Sequence, residues 1–244
     1  MDRTSLSIAD VWGTTQHVLR TNLSSIVLAC AFVEVPFTLI DLLFVMNGST
    51  TPGLIGIIQT VARGWLYAVV VSLTMASLES RPMRFGEAAG IARGATGRVF
   101  GVLFVQGLGV VLGSIFLVVP GILVWIWTSL AVAICVHERA GVMDSIQRST
   151  DMTVGHRGSI FLLGLSLTPI VFLIIMIAMV PVVLLEGQPG MAGSVGVSAA
   201  AVVAVAVMQS TYSVLLAAVM AVAYARIHEM TRGVDAAGIA EIMR

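Results

Sequence analysis

Long apolar runs decide what this 244-residue chain can fold into. A helix needs about 20 apolar residues to cross the roughly 30 Å hydrocarbon layer of a bilayer. Hydrophobic residues make up 58% of the chain and charged residues only 11%, whereas about a quarter of a soluble domain is charged. The sequence therefore predicts an all-α integral membrane protein and excludes a soluble or disordered chain. Six transmembrane helices are predicted, over residues 23–46, 54–78, 99–119, 122–136, 160–185 and 197–225.

The third and fourth spans are separated by a single dipeptide, Pro120–Gly121. Proline interrupts the hydrogen bonds of a helix and glycine tolerates a tight turn, so this pair is predicted to form the tip of a helical hairpin. The fourth span has only 15 residues, which reach about 22 Å as a helix. It either continues as helix through His137 and Glu138 or forms a re-entrant segment.

The placement of arginine predicts the orientation. All 13 Lys or Arg positions are arginine, and 12 of them lie before span one, between spans two and three, between spans four and five, or after span six. Since arginine-rich connections stay in the cytoplasm, we expect both termini inside. The lysine-free composition, rich in Ala, Val and Gly, favours a bacterial source and hence the cytoplasmic membrane. The formal net charge of zero offers no basic excess for nucleic acid.

Three segments on the arginine side have the apolar periodicity of a helix: 7–20, 84–98 and 141–155. They lead into spans through Arg20, Arg98 and Arg157. We expect each to be an amphipathic helix in the cytoplasmic interface, with its apolar face toward lipid or toward the bundle and its arginine among the lipid headgroups. A unit of interfacial helix, outward span, turn and returning span then occurs three times, which predicts three parallel hairpin repeats. The apolar stripe of the third segment consists of Val142, Met143, Ile146, Thr150 and Val154.

Three ionisable residues fall inside the first two spans: Glu34, Asp41 and Arg63. Measured from the outer end at about 1.5 Å per residue, Asp41 lies about 8 Å deep, Arg63 about 13 Å and Glu34 about 18 Å. A guanidinium can bind carboxylates on two sides, so we predict an ion network within the first hairpin. It is either a structural clasp or a polar site linked to a proton or substrate. In a third reading, Asp41 and Arg63 reach water at the outer surface.

A glycine motif and a pair of tryptophans lead to two further predictions. Gly109 and Gly113 form a GxxxG motif, which indicates close helix packing within the chain or between protomers. Trp125 and Trp127 suit the aromatic belt at the outer surface, and tryptophan is also common in helix packing. No nucleophile motif, phosphate-binding loop or metal-ligand spacing occurs in the sequence, so we expect no catalytic residue, cofactor or metal site.

A resemblance to a known family rests on two stretches. The first is Val119-Pro120-Gly121-Ile122-Leu123-Val124, continuing to Ser129-Leu130-Ala131, and the second runs from Glu138 through Ala140 and Ser145 to Ser149, with Gly155 and Arg157 following. Together they resemble the membrane domain attached to some bacterial glycerophosphoryl diester phosphodiesterases, which is shared by stand-alone inner-membrane proteins. The resemblance implies a polytopic inner-membrane fold without established catalytic residues. The chain has no room for the soluble phosphodiesterase barrel, which would need roughly 250 further residues.

These features favour a non-enzymatic membrane module, a scaffold or accessory protein for envelope lipids or for a membrane partner. The alternative is a carrier or channel for a lipid or small solute that uses Glu34, Asp41 and Arg63. The expected partners are membrane lipids and either a membrane protein or further copies of the chain.

Overall fold

The computed structural model describes residues 7–49, 52–81, 83–186 and 195–242. These residues form helices separated by short connections. The helices are α1 (Ile8–Thr21), α2 (Leu23–Met46), α3 (Gly53–Leu78), α4 (Phe85–Phe116), α5 (Val118–Thr128), α6 (Ala131–His137), α7 (Val142–Met152), α8 (Arg157–Glu186) and α9 (Val195–Ile242).

Among the described residues, six helical stretches are long and apolar enough to cross a membrane, which confirms a multi-pass membrane protein. Their bounds are Leu23–Met46, Gly53–Leu78, Phe85–Ile115, Val118–His137, Arg157–Leu185 and Ala199–Thr231. Each overlaps a span predicted from the sequence. The repeat of three parallel hairpins stays a prediction.

The buried core gathers at the arginine-bearing end of the bundle. Almost every residue of three segments there is buried: 66–76 of α3, 131–136 of α6 and 217–224 of α9. Small side chains such as Ala68, Ala131, Ala217 and Ala221 let these helices pack closely. Large apolar side chains are exposed along the whole of α2 and α8, and few described residues are buried toward the other end. The bundle is therefore tight at one end and splayed at the other.

The predicted separation between an interfacial helix at 84–98 and a span at 99–119 is wrong. One continuous helix, α4, runs from Phe85 to Phe116. Its 32 residues extend about 48 Å, which exceeds the thickness of the hydrocarbon layer. The sequence between residues 85 and 116 contains no proline, so nothing interrupts the hydrogen-bond ladder where the polar half meets the apolar half.

The turn between the third and fourth spans lies at Leu117, so its predicted position at Pro120–Gly121 is wrong. Leu117 has an extended backbone (φ −167°, ψ 149°) between α4 and α5. Pro120 is the third residue of α5. The first four N–H groups of a helix have no acceptor within it, so proline loses no hydrogen bond in that first turn.

Glycines bring α4 and α5 into close contact beyond this turn. A Cβ added to Gly113 would lie 2.9 Å from the backbone nitrogen of Gly121, and one added to Gly109 would lie 2.9 Å from Val124. A Cβ at Gly121 would overlap Ser114. The GxxxG motif therefore packs two helices of the same chain.

Replacing Gly113 with valine should destabilise the α4–α5 hairpin, because the added side chain meets backbone that cannot move away. Overpacking of this kind costs typically about 1–3 kcal/mol. Gly94→Val on the same helix is the matched control, since a Cβ there has open space. Thermal unfolding in detergent should show a clearly lower midpoint for Gly113→Val than for Gly94→Val, and equal midpoints would contradict the close packing.

The fourth span is broken in its middle. α5 ends at Thr128 and α6 begins at Ala131, with a turn at Ser129 and Leu130. Ser149 of α7 holds this break together. Its hydroxyl donates to the carbonyl oxygen of Trp127 (2.7 Å) and accepts from the backbone N–H of Leu130 (3.2 Å). The two backbone groups freed by the break thus find a partner, as an apolar surrounding requires.

The face that α7 buries differs from the predicted apolar stripe. Its buried residues are Ser145 and Ser149, and Thr153 just beyond its end is also buried. Met143 and Val154 are 66% and 61% exposed. Val142 and Ile146 do pack against the core. A row of hydroxyl groups at every fourth position therefore faces the protein, and one of them, that of Ser149, binds the backbone of the broken span.

Replacing Ser149 with alanine should destabilise the protein by about 1–3 kcal/mol, the usual cost of unpaired buried backbone groups. Ser72→Ala is the control, because the buried Ser72 hydroxyl donates only to Ala68 of its own helix (2.8 Å). Chemical denaturation in detergent micelles measures the difference. A Ser149→Ala loss no greater than that of Ser72→Ala would mean that the bridge does not support the broken span.

Of the two roles predicted for Trp125 and Trp127, the structure favours helix packing over an outer aromatic belt. A Cβ added to Gly164 of α8 would lie 2.5 Å from the ring of Trp125. The guanidinium of Arg157 lies 5.3 Å from the ring centre of Trp127. Both tryptophans therefore pack on the first third of α8, toward its arginine end, and serve helix packing.

Candidate functional site

An open cleft of ≈ 400 Å³ separates α2, α3 and α9 in the splayed half of the bundle. It extends along α2 from Val45, beside the connection to α3, down to Glu34. The separation of 11 positions corresponds to about 16 Å of helix. The cleft thus runs from the end opposite the arginines to roughly the middle of the spans. Small and medium apolar residues of α9 form its other wall: Ala201, Val202, Val205 and Ala206.

The deepest polar group of the cleft is an ion pair. Nε of Arg63 lies 3.2 Å from Oε1 of Glu34, and its terminal nitrogen Nη2 lies 3.4 Å from Oε2. Both carboxylate oxygens therefore receive a guanidinium N–H, the two-pronged geometry that makes such pairs strong. Glu34 is 8% exposed. A lone carboxylate at this depth would be costly, so the pair makes the position of Glu34 tolerable.

A second polar pair lies nearer the open end. Nε2 of Gln59 donates to Oδ2 of Asp41 at 2.9 Å. Gln59 is one turn of α3 before Arg63, as Asp41 is two turns of α2 after Glu34. All four side chains line the same cleft. The structure therefore brings Glu34, Asp41 and Arg63 to one site and adds Gln59, which the sequence analysis did not single out.

Gln59 was missed because a neutral amide in an apolar span is usually packing. Its spacing was a usable signal: four residues before Arg63, it shares that residue's face of α3. Counted from opposite helix ends at about 1.5 Å per residue, Gln59 and Asp41 lie within about 2 Å in depth. The same depth comparison that pairs Glu34 with Arg63 would have found the second pair.

A polar cluster of a different kind lies at the arginine end. The hydroxyl of Tyr224 donates to Oε1 of Glu138 at 2.7 Å, and Arg148 pairs with the other oxygen of that carboxylate. His228 stacks on the Tyr224 ring, and the ring of His137 meets it edge-on. These contacts join α6, α7 and α9. The cluster stabilises the tight end of the bundle.

The three arginines predicted for the interface differ in their surroundings. Arg20 is exposed in the last turn of α1. Arg98 lies within the continuous α4 and donates to the carbonyl oxygen of Arg139. Arg157 stacks on Trp127 at the start of α8. Two of the three therefore make contacts within the protein.

Within the described ranges, no group of three His, Cys, Asp or Glu side chains is placed to hold a metal ion. Cys30 and Cys135 are free thiols. Comparison with protein-family models, with curated proteins and with solved structures finds no match for this chain.

The Glu34–Arg63 pair can be tested by a double-mutant design. Arg63→Leu alone should destabilise the protein by about 3–5 kcal/mol, because it leaves Glu34 buried without its partner. The double variant Glu34→Leu/Arg63→Leu removes both charges and should recover most of that loss. Thermal midpoints in detergent measure both effects. A double variant as unstable as the sum of the two single variants would show that the groups do not interact.

Proposed function

We propose that this chain is a non-enzymatic membrane module that serves as an accessory protein for envelope lipids, with the α2–α3–α9 cleft as its binding site. The supporting observation is that the cleft is open at one end and leads to paired charges midway through the spans. In the proposed orientation the arginine end is cytoplasmic, with both termini inside a bacterial inner membrane. The cleft then opens toward the outer leaflet.

The charges of the cleft favour a particular chemistry of ligand. Its lining holds one guanidinium, Arg63, and two carboxylates, Glu34 and Asp41. The two carboxylates outnumber the one guanidinium in this lining, and a low-dielectric surrounding strengthens the attraction of carboxylates for a cation. An amine-bearing headgroup fits: its ammonium lies near Asp41, about 8 Å below the outer end of α2.

Retention of phosphatidylethanolamine tests the lipid site. The protein is reconstituted in nanodiscs of phosphatidylethanolamine and phosphatidylglycerol, then re-extracted, and its bound lipids are measured by mass spectrometry. Wild type should retain the amine lipid in preference to the glycerol lipid. Asp41→Asn should lower that preference at least five-fold. Asp151→Asn is the charge-matched control, because Asp151 is exposed on α7 and outside the cleft.

Equal retention by Asp41→Asn and Asp151→Asn would contradict the proposal. Thermal midpoints for both variants establish that each is folded when its lipids are measured.

A carrier is the second candidate, favoured because the cleft ends on an ion pair that could open. Opening the pair would extend the path toward the other leaflet past the tightly packed segment of α3. A fluorescent amine lipid in proteoliposomes then distinguishes the two functions. A carrier moves the label between leaflets and slows when Glu34 and Arg63 are both replaced by Gln. A binding module leaves the label where it was inserted.

A further inference from the structure

A second cavity, of ≈ 330 Å³, lies between α3, α4, α9 and the break in the fourth span. It is separate from the charged cleft and shares none of its lining residues. Its walls are mostly apolar. The polar side chains that line it are all neutral: the Tyr67 phenol, the Gln106 amide and the Ser129 hydroxyl.

Two of these polar groups have no hydrogen bond to another residue in the described part of the chain. Ser129 donates to the carbonyl oxygen of Ile126 (2.8 Å). Tyr67 and Gln106 have no such bond, although both are partly buried in the bundle. Polar groups in an apolar surrounding are costly unless they are bonded. Their O–H and N–H donors therefore provide a place for acceptor oxygens of a ligand.

An aromatic wall completes the cavity. Trp125 lines it and also lines an adjacent cavity of ≈ 250 Å³ between α5, α8 and α9. Leu216 borders both spaces as well. Trp125 therefore borders both cavities. A planar ring can stack on an indole.

The cavity has a lateral opening toward lipid. Gly107 and Val111 line it, and both are exposed at the surface of α4. A Cβ added to Gly107 would meet nothing within 4 Å. A molecule dissolved in the hydrocarbon layer can therefore enter between α4 and its neighbours without first reaching water.

The depth of the donors restricts what can enter. Tyr67 lies about 21 Å from the outer end of α3, and Gln106 about 15 Å from the outer end of α4, so both are near the middle of the bilayer. Charged headgroups are costly at this depth. A ligand must be neutral and apolar, with acceptor oxygens that can face the phenol and the amide.

We propose that this cavity binds a neutral, membrane-dissolved molecule with carbonyl oxygens. An isoprenoid quinone fits best, since its flat ring packs on Trp125 while Tyr67 and Gln106 donate to its carbonyl oxygens. The ester carbonyls of a glyceride are the other source of the same chemistry. Binding involves no covalent or redox step.

Two measurements on the full-length protein in detergent test the cavity. Organic extraction followed by ultraviolet spectroscopy and mass spectrometry identifies a co-purified quinone or glyceride. Titration with a short-tailed benzoquinone then follows the quenching of tryptophan fluorescence. Quenching should saturate for wild type. Tyr67→Phe/Gln106→Leu should need at least ten-fold more quinone for half-quenching.

Gly107→Leu fills the mouth of the cavity and should raise the half-quenching concentration similarly. Gly97→Leu is its control, because a Cβ there also has open space and Gly97 does not line the cavity. Asp41→Asn in the charged cleft should leave quenching unchanged, which separates this site from the proposed lipid site.

Recovery of a glyceride that the same variants lose would support the site and assign the carbonyl groups to an ester. Quenching that does not saturate, or that has the same midpoint in Gly107→Leu and Gly97→Leu, would overturn the proposal. Thermal midpoints establish that every variant compared is folded.

Discussion

The absence of water from the hydrocarbon layer is the constraint on which this structure depends. A polar group that enters a span is costly unless it finds a partner. Ser149 satisfies the backbone freed where the fourth span breaks, and Arg63 lies against the buried Glu34. The same constraint accounts for the hydroxyl group of Ser149 facing the bundle beside Val142 and Ile146 of the same helix. Hydrogen-bond and ion-pair partners, more than apolar burial, determine where breaks in the helices and buried charges occur in this fold.

Packing differs between the two ends of the bundle, and the candidate sites follow from that difference. Small residues let α3, α6 and α9 pack closely at the arginine end. There Glu138 accepts a hydrogen bond from Tyr224 and forms an ion pair with Arg148. The opposite end is splayed, so the charged cleft opens there and reaches about half the depth of the spans. The neutral cavity beside Trp125 opens sideways instead, toward lipid. A binding function for both sites is our proposal, and their contrasting chemistry would suit ligands of different charge.

The apolar runs predicted the fold class and all six spans, because length and hydrophobicity are local properties of a membrane helix. Depth comparison likewise predicted that Arg63 lies between Glu34 and Asp41 in height, and the structure brings all three to one cleft. Positions decided by tertiary contacts were predicted poorly. Pro120 was predicted to lie in the turn, although proline also suits the first turn of a helix, where the structure has it in α5. Trp127 was matched to the outer aromatic belt, although its ring stacks with Arg157 at the arginine end of α8. Nothing local to Ser149 shows that a broken span lies beside it.

In the proposed topology, the chain crosses the membrane six times and all arginine-bearing connections lie on one face of the membrane. Single cysteines introduced at Ser49, Gly90 and Gln147, after replacement of Cys30 and Cys135, test this directly with a maleimide that cannot cross membranes. In intact cells the cysteine at position 49 should react, and those at 90 and 147 should react only after permeabilisation. Reaction of positions 90 and 147 from opposite faces would contradict the six-span topology and the placement of both proposed sites.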